Sequence, residues 1–318
     1  MSSLTNPKVS VIVPCYNFGH LLQETLESLQ RQSFLEWECI VIDDGSTDNT
    51  SAVANSFVTK DPRYVYIFQE NAGLSAARNT GINAARGAFI QLLDADDFLG
   101  DEKLLEHYNF LSNRTDIDIV YSEVLYFKSN QPDIHYYTLN GGVNPWMVEF
   151  KDHEQFCFNL IEQNLFAVNC AFYRKSIVND CGLFNTKLKS VEDWEFWIRC
   201  AIAGKRFLFK RDEKSIALVR IHNSSMSNNL KRMHEASLLA RYGLRKILNT
   251  SSLQINRRLI ESNEAQIKYL HRKIYSEYAS SGYLNKLQHL FLGYPFQKEW
   301  RFIGKEILNV IGTNKKHH

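Results

Sequence analysis

The run LLDADD at residues 92–97 sets two carboxylates, Asp94 and Asp96, at i and i+2 directly after an apolar stretch. Spaced this way they leave a strand end together, and carboxylate oxygens are hard ligands suited to Mg²⁺ or Mn²⁺. An ion held there can bridge protein to a diphosphate and neutralise charge that builds on a departing phosphate. An Asp-rich turn capping a helix from about 101 is the plain structural alternative. A second acid pair, Asp43–Asp44 in IDDGSTD, also closes an apolar run. One of its carboxylates suits the imide N–H of a nucleobase, and turn chemistry is again the alternative.

A third group lies in VEDWEFWIRCAIAG, residues 191–204, where Glu192 and Asp193 open a helical pattern. Acids at a helix start are stabilised by the helix dipole. A carboxylate there that faces a cleft is also placed to act as a base, and Trp194 beside it offers a flat surface for a sugar ring. Arg78, in GLSAARNTG, is either a surface charge or a cation for phosphates or a base. His222 ends the run FLFKRDEKSIALVRIH, and a lone histidine is more often structural than a ligand.

These residues need a scaffold that brings strand ends together. VSVIVPCYN (9–17) reads as a buried strand, and Leu21, Leu22, Leu26 and Leu29 recur at helical spacing over about 20–31. WECIVIDDGS (37–46) predicts a second strand, followed by a helix through about 48–58 and the strand YVYIFQ (64–69). A helix over 74–87 and the strand AFIQLL (88–93) complete the series. Strands alternating with helices predict a largely parallel sheet covered on both faces, with ligands outside the carboxyl ends of the strands. Asn17, Asp43, Asp44 and Asp94 to Asp97 all fall at those ends. The middle of the chain reads as mixed, with a helix near 101–113, a strand over 118–127, a Gly/Asn/Pro-rich loop near 130–146 and a β-rich run to 222. After 228 the pattern is helical and basic.

With 318 residues, 44% hydrophobic and 23% charged, the chain is that of a globular protein rather than a disordered or fibrous one. No run reaches the ~18–20 apolar residues of a membrane span. The start, MSSLTNPK, lacks the apolar core of a signal peptide. Six cysteines without CxxC spacing predict reduced core thiols in a cytoplasmic protein. CYNFGH after the first strand is not GxGxxG, and no GxxxxGK[ST] occurs, which argues against hydride transfer and P-loop ATP hydrolysis. The net charge of +2 hides an asymmetry. Residues 228–318 hold 16 Lys and Arg against 6 Glu, a net of +10, which leaves 21 basic against 29 acidic, a net of −8, in 1–227.

Taken in order, SVIVPCYN, IVIDDGSTD, ENAGLSAARNTGI, FIQLLDADD and GLFNTKLKSVEDWEFWIR resemble the family 2 glycosyltransferases of the GT-A fold over about residues 8–227. The resemblance implies a Rossmann-like, mostly parallel central sheet flanked by helices, a catalytic domain over 1–227 and a C-terminal helical region over 228–318. It implies that Pro14, Tyr16, Asn17, Asp44, Arg78 and Asp94 hold the nucleotide-sugar, with Asp96 and His222 on a Mn²⁺ or Mg²⁺ ion. Asp193 corresponds to the catalytic base, and Glu192 and Trp194 would line the acceptor side. The implied activity is inverting transfer from a nucleotide-diphosphate sugar, a UDP-sugar first, to a hydroxyl of a glycan or lipid-linked acceptor in bacterial cell-surface polysaccharide synthesis.

Two other classes are compatible with parts of the pattern. A sugar-1-phosphate nucleotidyltransferase would want a basic loop after the first strand, where this chain has CYNFGH. A non-catalytic nucleotide-sugar-binding module would be expected to have lost the base or one acid of the DxD pair, and this chain keeps both. Nucleic acid is not among the expected partners. The basic tail, with FLGYPFQKEWRFIGKEILNVIG at 291–312, is the expected contact with an anionic membrane, peripheral at its inner face.

Overall fold

The computed structural model describes residues 6–140, 142, 147–222, 229–250 and 256–280. The segment 291–312 of the expected membrane contact lies outside the described residues. Two compact units divide the chain, Met1–Ile267 and Lys268–His318.

The first unit begins with the predicted alternation. It runs β1 (Val9–Cys15), α1 (Gly19–Gln30), β2 (Trp37–Asp44), α2 (Thr50–Lys60), β3 (Tyr64–Gln69), α3 (Leu74–Ala84) and β4 (Phe89–Leu92). The two-residue β5 (Phe98–Leu99), α4 (Lys103–Asn113), β6 (Ile119–Ser122), β7 (Val124–Lys128) and β8 (Gln131–Tyr136) come next. Then come α5 (His153–Glu162), a 3₁₀ turn at Val168–Cys170, β9 (Ala171–Arg174), α6 (Ile177–Cys181) and α7 (Glu192–Ile202). The strands β10 (Phe207–Lys210) and β11 (Ala217–Ile221) precede the helices α8 (Leu230–Thr250) and α9 (Asn256–Ser280).

The main sheet has the order β10-β6-β9-β4-β1-β2-β3, and every strand but β9 runs parallel. Every residue of β1 is buried, as a central parallel strand covered on both faces requires. Period-two geometry divides those side chains between two cores. Val9, Val11 and Val13 share one core with Leu22, Leu26 and Leu29 of α1, whereas Ile12 belongs to the other with Ala77 and Ile82 of α3 and Phe196 and Trp197 of α7. Each such aliphatic side chain contributes roughly 1.5–3 kcal/mol through burial. The approach of α3 to β1 depends on Gly81, where an added Cβ would lie 2.3 Å from Ile12 Cγ2.

The single strand expected over 118–127 is two strands, and the β-rich run over 207–222 also divides. The run 118–127 breaks at Glu123 into β6 in the main sheet and β7 in a second sheet of order β5-β11-β7-β8. The run 207–222 breaks likewise, and the halves pair as β6 with β10 and β7 with β11, both parallel. Apolar content marks the strand halves but carries no signal of the sheet to which each half belongs. This crossing brings the end of β11, and with it His222, to the turn after β4.

All six cysteines are free and buried, as expected of core thiols. The basic tail is in part structural. Arg241 of α8 is 3% exposed and donates through Nη2 to Ile161 O (2.9 Å) and Glu162 O (3.2 Å) at the end of α5. Its guanidinium also lies 4.8 Å from the Trp194 ring centre. Arg245 pairs with Glu264 at 2.5 Å. Among the described residues no helix is long and apolar enough to cross a membrane.

Candidate active site

The carboxyl ends of β1, β2 and β4 place the predicted residues around one end of the sheet. Pro14 is buried in β1, Tyr16 is 49% exposed, and Asn17 takes φ 58°. Asn tolerates that left-handed conformation better than most residues, and its side chain uses it. Asn17 Oδ1 accepts from Thr47 N (2.8 Å), and Asn17 N donates to Ser46 Oγ (2.9 Å), tying the β1 loop to the β2 loop.

The two acids ending β2 have separate tasks. Asp43 holds its own turn through Ser46 N (2.8 Å) and accepts from the Tyr66 hydroxyl (2.8 Å). Asp44 is 3% exposed and accepts from Gln69 Nε2 (2.6 Å), Ala72 N (2.9 Å) and Gly73 N (2.8 Å). Its carboxylate is thereby fixed against the start of α3, where Gly73 at φ 91° makes the entry turn.

Arg78 of α3 is 1% exposed, so it is not the surface charge of the simplest alternative. Its Nη2 donates to Asp94 Oδ1 (2.8 Å) and its Nη1 to Glu192 Oε1 (2.5 Å). Burial alone would lower its pKa, but Asp94 and Glu192 carry it upward, so the guanidinium stays charged. One buried cation therefore joins the turn after β4 to the start of α7.

At that helix start Val191 takes φ 57°, ψ 20°, an outlying conformation for a β-branched residue that costs about 1–3 kcal/mol. Glu192 is buried and paired with Arg78, whereas Asp193 is half-buried and accepts from Asn164 Nδ2 (3.1 Å). Burial, and next the Glu192 charge, push Asp193 up to about 6, with Arg78 pulling the other way. A carboxylate tuned there is a better proton acceptor than an ordinary one and is still ionised at neutral pH. Trp194 corrects an expectation. It is 3% exposed, and its Nε1 donates to Leu160 O (2.6 Å), so its ring is core and unavailable to a sugar. The apolar periodicity of α7 points the ring inward. Glu192, placed with it on the acceptor side, is 4% exposed and committed to Arg78.

Asp96 Oδ2 and His222 Nε2 stand 2.6 Å apart, although 126 positions separate them in the chain. Burial, and next the neighbouring Asp94, raise the pKa of Asp96, with His222 opposing. Asp97 is raised well above the usual carboxylate range by burial and then by Asp96 and Asp94. Among the described residues no three His, Cys, Asp or Glu side chains form a ready metal cluster.

Three residues essential to this geometry, Asn164, Asn169 and Arg220, were not singled out from the sequence. Asn169, 1% exposed, accepts from Asp94 N (3.0 Å) and donates to Asp97 Oδ2. Arg220 donates through Nε to Asp96 O (2.8 Å), and its backbone N donates to Asp97 Oδ1 (2.8 Å). Asn164 orients Asp193. A polar Asn169 inside the apolar run FAVNCAFY was the one available signal.

Comparison with known proteins bears on the family and the fold. Residues 10–182 match the family described as "Glycosyl transferase family 2". An uncharacterised glycosyltransferase of Methanocaldococcus jannaschii is 28% identical over 252 residues, covering 77% of this chain and 81% of that one. GlyA, a glycosyltransferase of Streptococcus pneumoniae, is 34% identical over 137 residues, covering 43% of this chain. This chain spans only 18% of GlyA's length. In structure, S. aureus TarS 1-349 in complex with UDP-GlcNAc superposes with TM-score 0.63 at 21% identity, covering 83% of this chain and 72% of that one. The mannosyltransferase PcManGT from Pyrobaculum calidifontis, in complex with GDP-Man and Mn²⁺, gives 0.59 at 19% identity, covering 98% and 88%. At those identities the likeness establishes the fold, which is GT-A. The family match extends over more than half of the sequence, and the chain belongs to glycosyl transferase family 2.

Proposed function

We propose that this glycosyltransferase moves a sugar from a nucleotide-diphosphate sugar, a UDP-sugar first, to a hydroxyl of a glycan or lipid-linked acceptor, with inversion at the anomeric carbon. The observation that carries the reading is the Arg78 bridge, which holds the DxD turn and the Glu192–Asp193 helix start to one buried guanidinium. The placement of β-strand ends supports the nucleotide over Pro14, Tyr16, Asn17 and Asp44, with Asp94 beside the sugar-phosphate.

The residues present fit a divalent ion. Three carboxylates crowd one turn, two of them with raised pKa values, and a cation would relieve that repulsion. Asp96 and His222 would hold it, since carboxylate and imidazole suit Mn²⁺. Such an ion would supply electrostatic stabilisation of negative charge on the diphosphate.

The chain's own residues then divide the work. Asp193 takes the proton from the acceptor hydroxyl as that oxygen attacks the anomeric carbon from the face opposite the diphosphate. Asn164 holds Asp193 by one oxygen. Arg78, neutralised by Asp94 and Glu192, fixes the distance between the donor and acceptor sides of the site. One displacement with one base predicts an inverted product. In this reading 1–227 carries catalysis, and the positive charge of 228–318 meets an acceptor surface of anionic character.

A thermal-shift panel tests the donor side. UDP, GDP and dTDP and their sugars, each with and without Mn²⁺, are added to the full chain. At least one nucleotide is expected to raise the melting temperature, and more so with Mn²⁺, because a ligand that binds the native state stabilises it by mass action. No shift with any nucleotide at millimolar concentration would contradict the reading.

A further inference from the structure

We propose that Asp97 is a positioning residue that keeps Asp96 and His222 within reach of one ion. The inference rests on the metal reading given above. The crossing of the second sheet sets the problem. Asp96 sits on the turn after β4 and His222 just past the end of β11, so nothing in the local chain fixes their separation. On the β5 side, β11 is paired only through Ala217 with Leu99 and Leu218 with Phe98. Beyond that point the strand loses its backbone neighbour. The Asp97 carboxylate takes the vacant place, with Oδ1 accepting from Arg220 N at 2.8 Å.

Its other oxygen, Oδ2, accepts from Asn169 Nδ2, and Asn169 Oδ1 accepts in turn from Asp94 N. The turn is thereby closed on itself from Asp94 to Asp97. Arg220 returns the link, since its Nε donates to Asp96 O at 2.8 Å. Residues i and i+2 of a strand share a face, so the Arg220 side chain and His222 meet the same turn. Asp97 is 4% exposed and Arg220 3% exposed, so both links are shielded from water. A carboxylate with both oxygens used by protein donors is poorly placed to be an ion ligand itself. Its effect passes through the two groups that flank it.

Partners standing behind a metal ligand change affinity by about 10–100-fold when removed. The test titrates Mn²⁺ into the full chain, alone and with UDP, and follows loss of the free-ion EPR signal. Wild type, Asp96→Ala, Asp97→Ala and Asp97→Asn are compared, with melting temperatures recorded. The Asp97→Ala variant is expected to bind Mn²⁺ at least tenfold more weakly. Asp97→Asn, whose amide oxygen still accepts from Arg220 N, is expected to fall between it and wild type. In turnover the defect should appear as a raised Mn²⁺ requirement that saturating ion largely rescues, which a simple loss of fold stability would not give. Wild-type Mn²⁺ affinity in both Asp97 variants, alongside loss in Asp96→Ala, overturns the positioning role and leaves the metal reading standing. Unchanged affinity in Asp96→Ala, or no Mn²⁺ binding by wild type, removes the metal reading and this inference with it.

Discussion

Asp193→Asn is expected to lower kcat by ~10²-fold or more while donor binding survives. The amide is nearly isosteric, so the Asn164 contact and the α7 start should be kept, but it cannot take a proton. The pH profile sharpens the expectation. A base with a pKa near 6 is ionised above that pH and protonated below it. Wild-type kcat/KM should therefore be flat near neutrality and fall about tenfold per pH unit on the acid side of 6. In the variant that limb should disappear along with the activity. Steady-state kinetics between pH 4.5 and 8 check both points. Normal turnover by Asp193→Asn would move the role to another acid. Glu192 is poorly placed to inherit it, because its carboxylate is buried and already paired with Arg78.

The second large effect is expected at Asp96. Asp96→Ala removes the carboxylate that faces His222, so transfer should fall by ~10²-fold or beyond detection and the Mn²⁺-dependent part of nucleotide stabilisation should vanish. The fold should hold. The carboxylate is disfavoured in its charged form where it sits, so its loss also removes repulsion with Asp94. Thermal unfolding with and without nucleotide and Mn²⁺ separates these effects. Full activity in the variant, or of wild type in excess chelator, contradicts a role for the ion.

The β-α alternation through β4 was legible because central parallel strands are apolar on both faces and their helices keep a 3.6-residue stripe. Asp44, Asp94, Asp96 and Asp193 were legible because polar residues concentrated at strand and helix ends stand out against that pattern. The second sheet was not legible. Run 118–127 is apolar on either side of Glu123, and although the charged KRDEK at 210–214 marks a break in 207–222, only three-dimensional pairing assigns each half to its sheet. Trp194 was misread because a tryptophan next to an acid looks like a sugar platform until helix phase buries it. Arg78 could be named but its environment could not, since both its partners are distant in sequence. Asn169 and Arg220 act across 72 or more positions, a separation that no local spacing encodes.

The central claim is that a nucleotide-diphosphate sugar lies over these strand ends with its anomeric carbon between the diphosphate and Asp193. A crystal structure of the Asp193→Asn variant with Mn²⁺ and an intact sugar donor from the stabilising panel tests it most directly. The account predicts the base beside Asp44, the diphosphate at Asp94, Asp96 and His222, and residue 193 on the opposite side of the anomeric carbon. Room for one hydroxyl should remain between them, with the attacking oxygen about 3–3.5 Å from that carbon. A donor bound with residue 193 on the diphosphate side, or bound away from β1, β2 and β4, would contradict it.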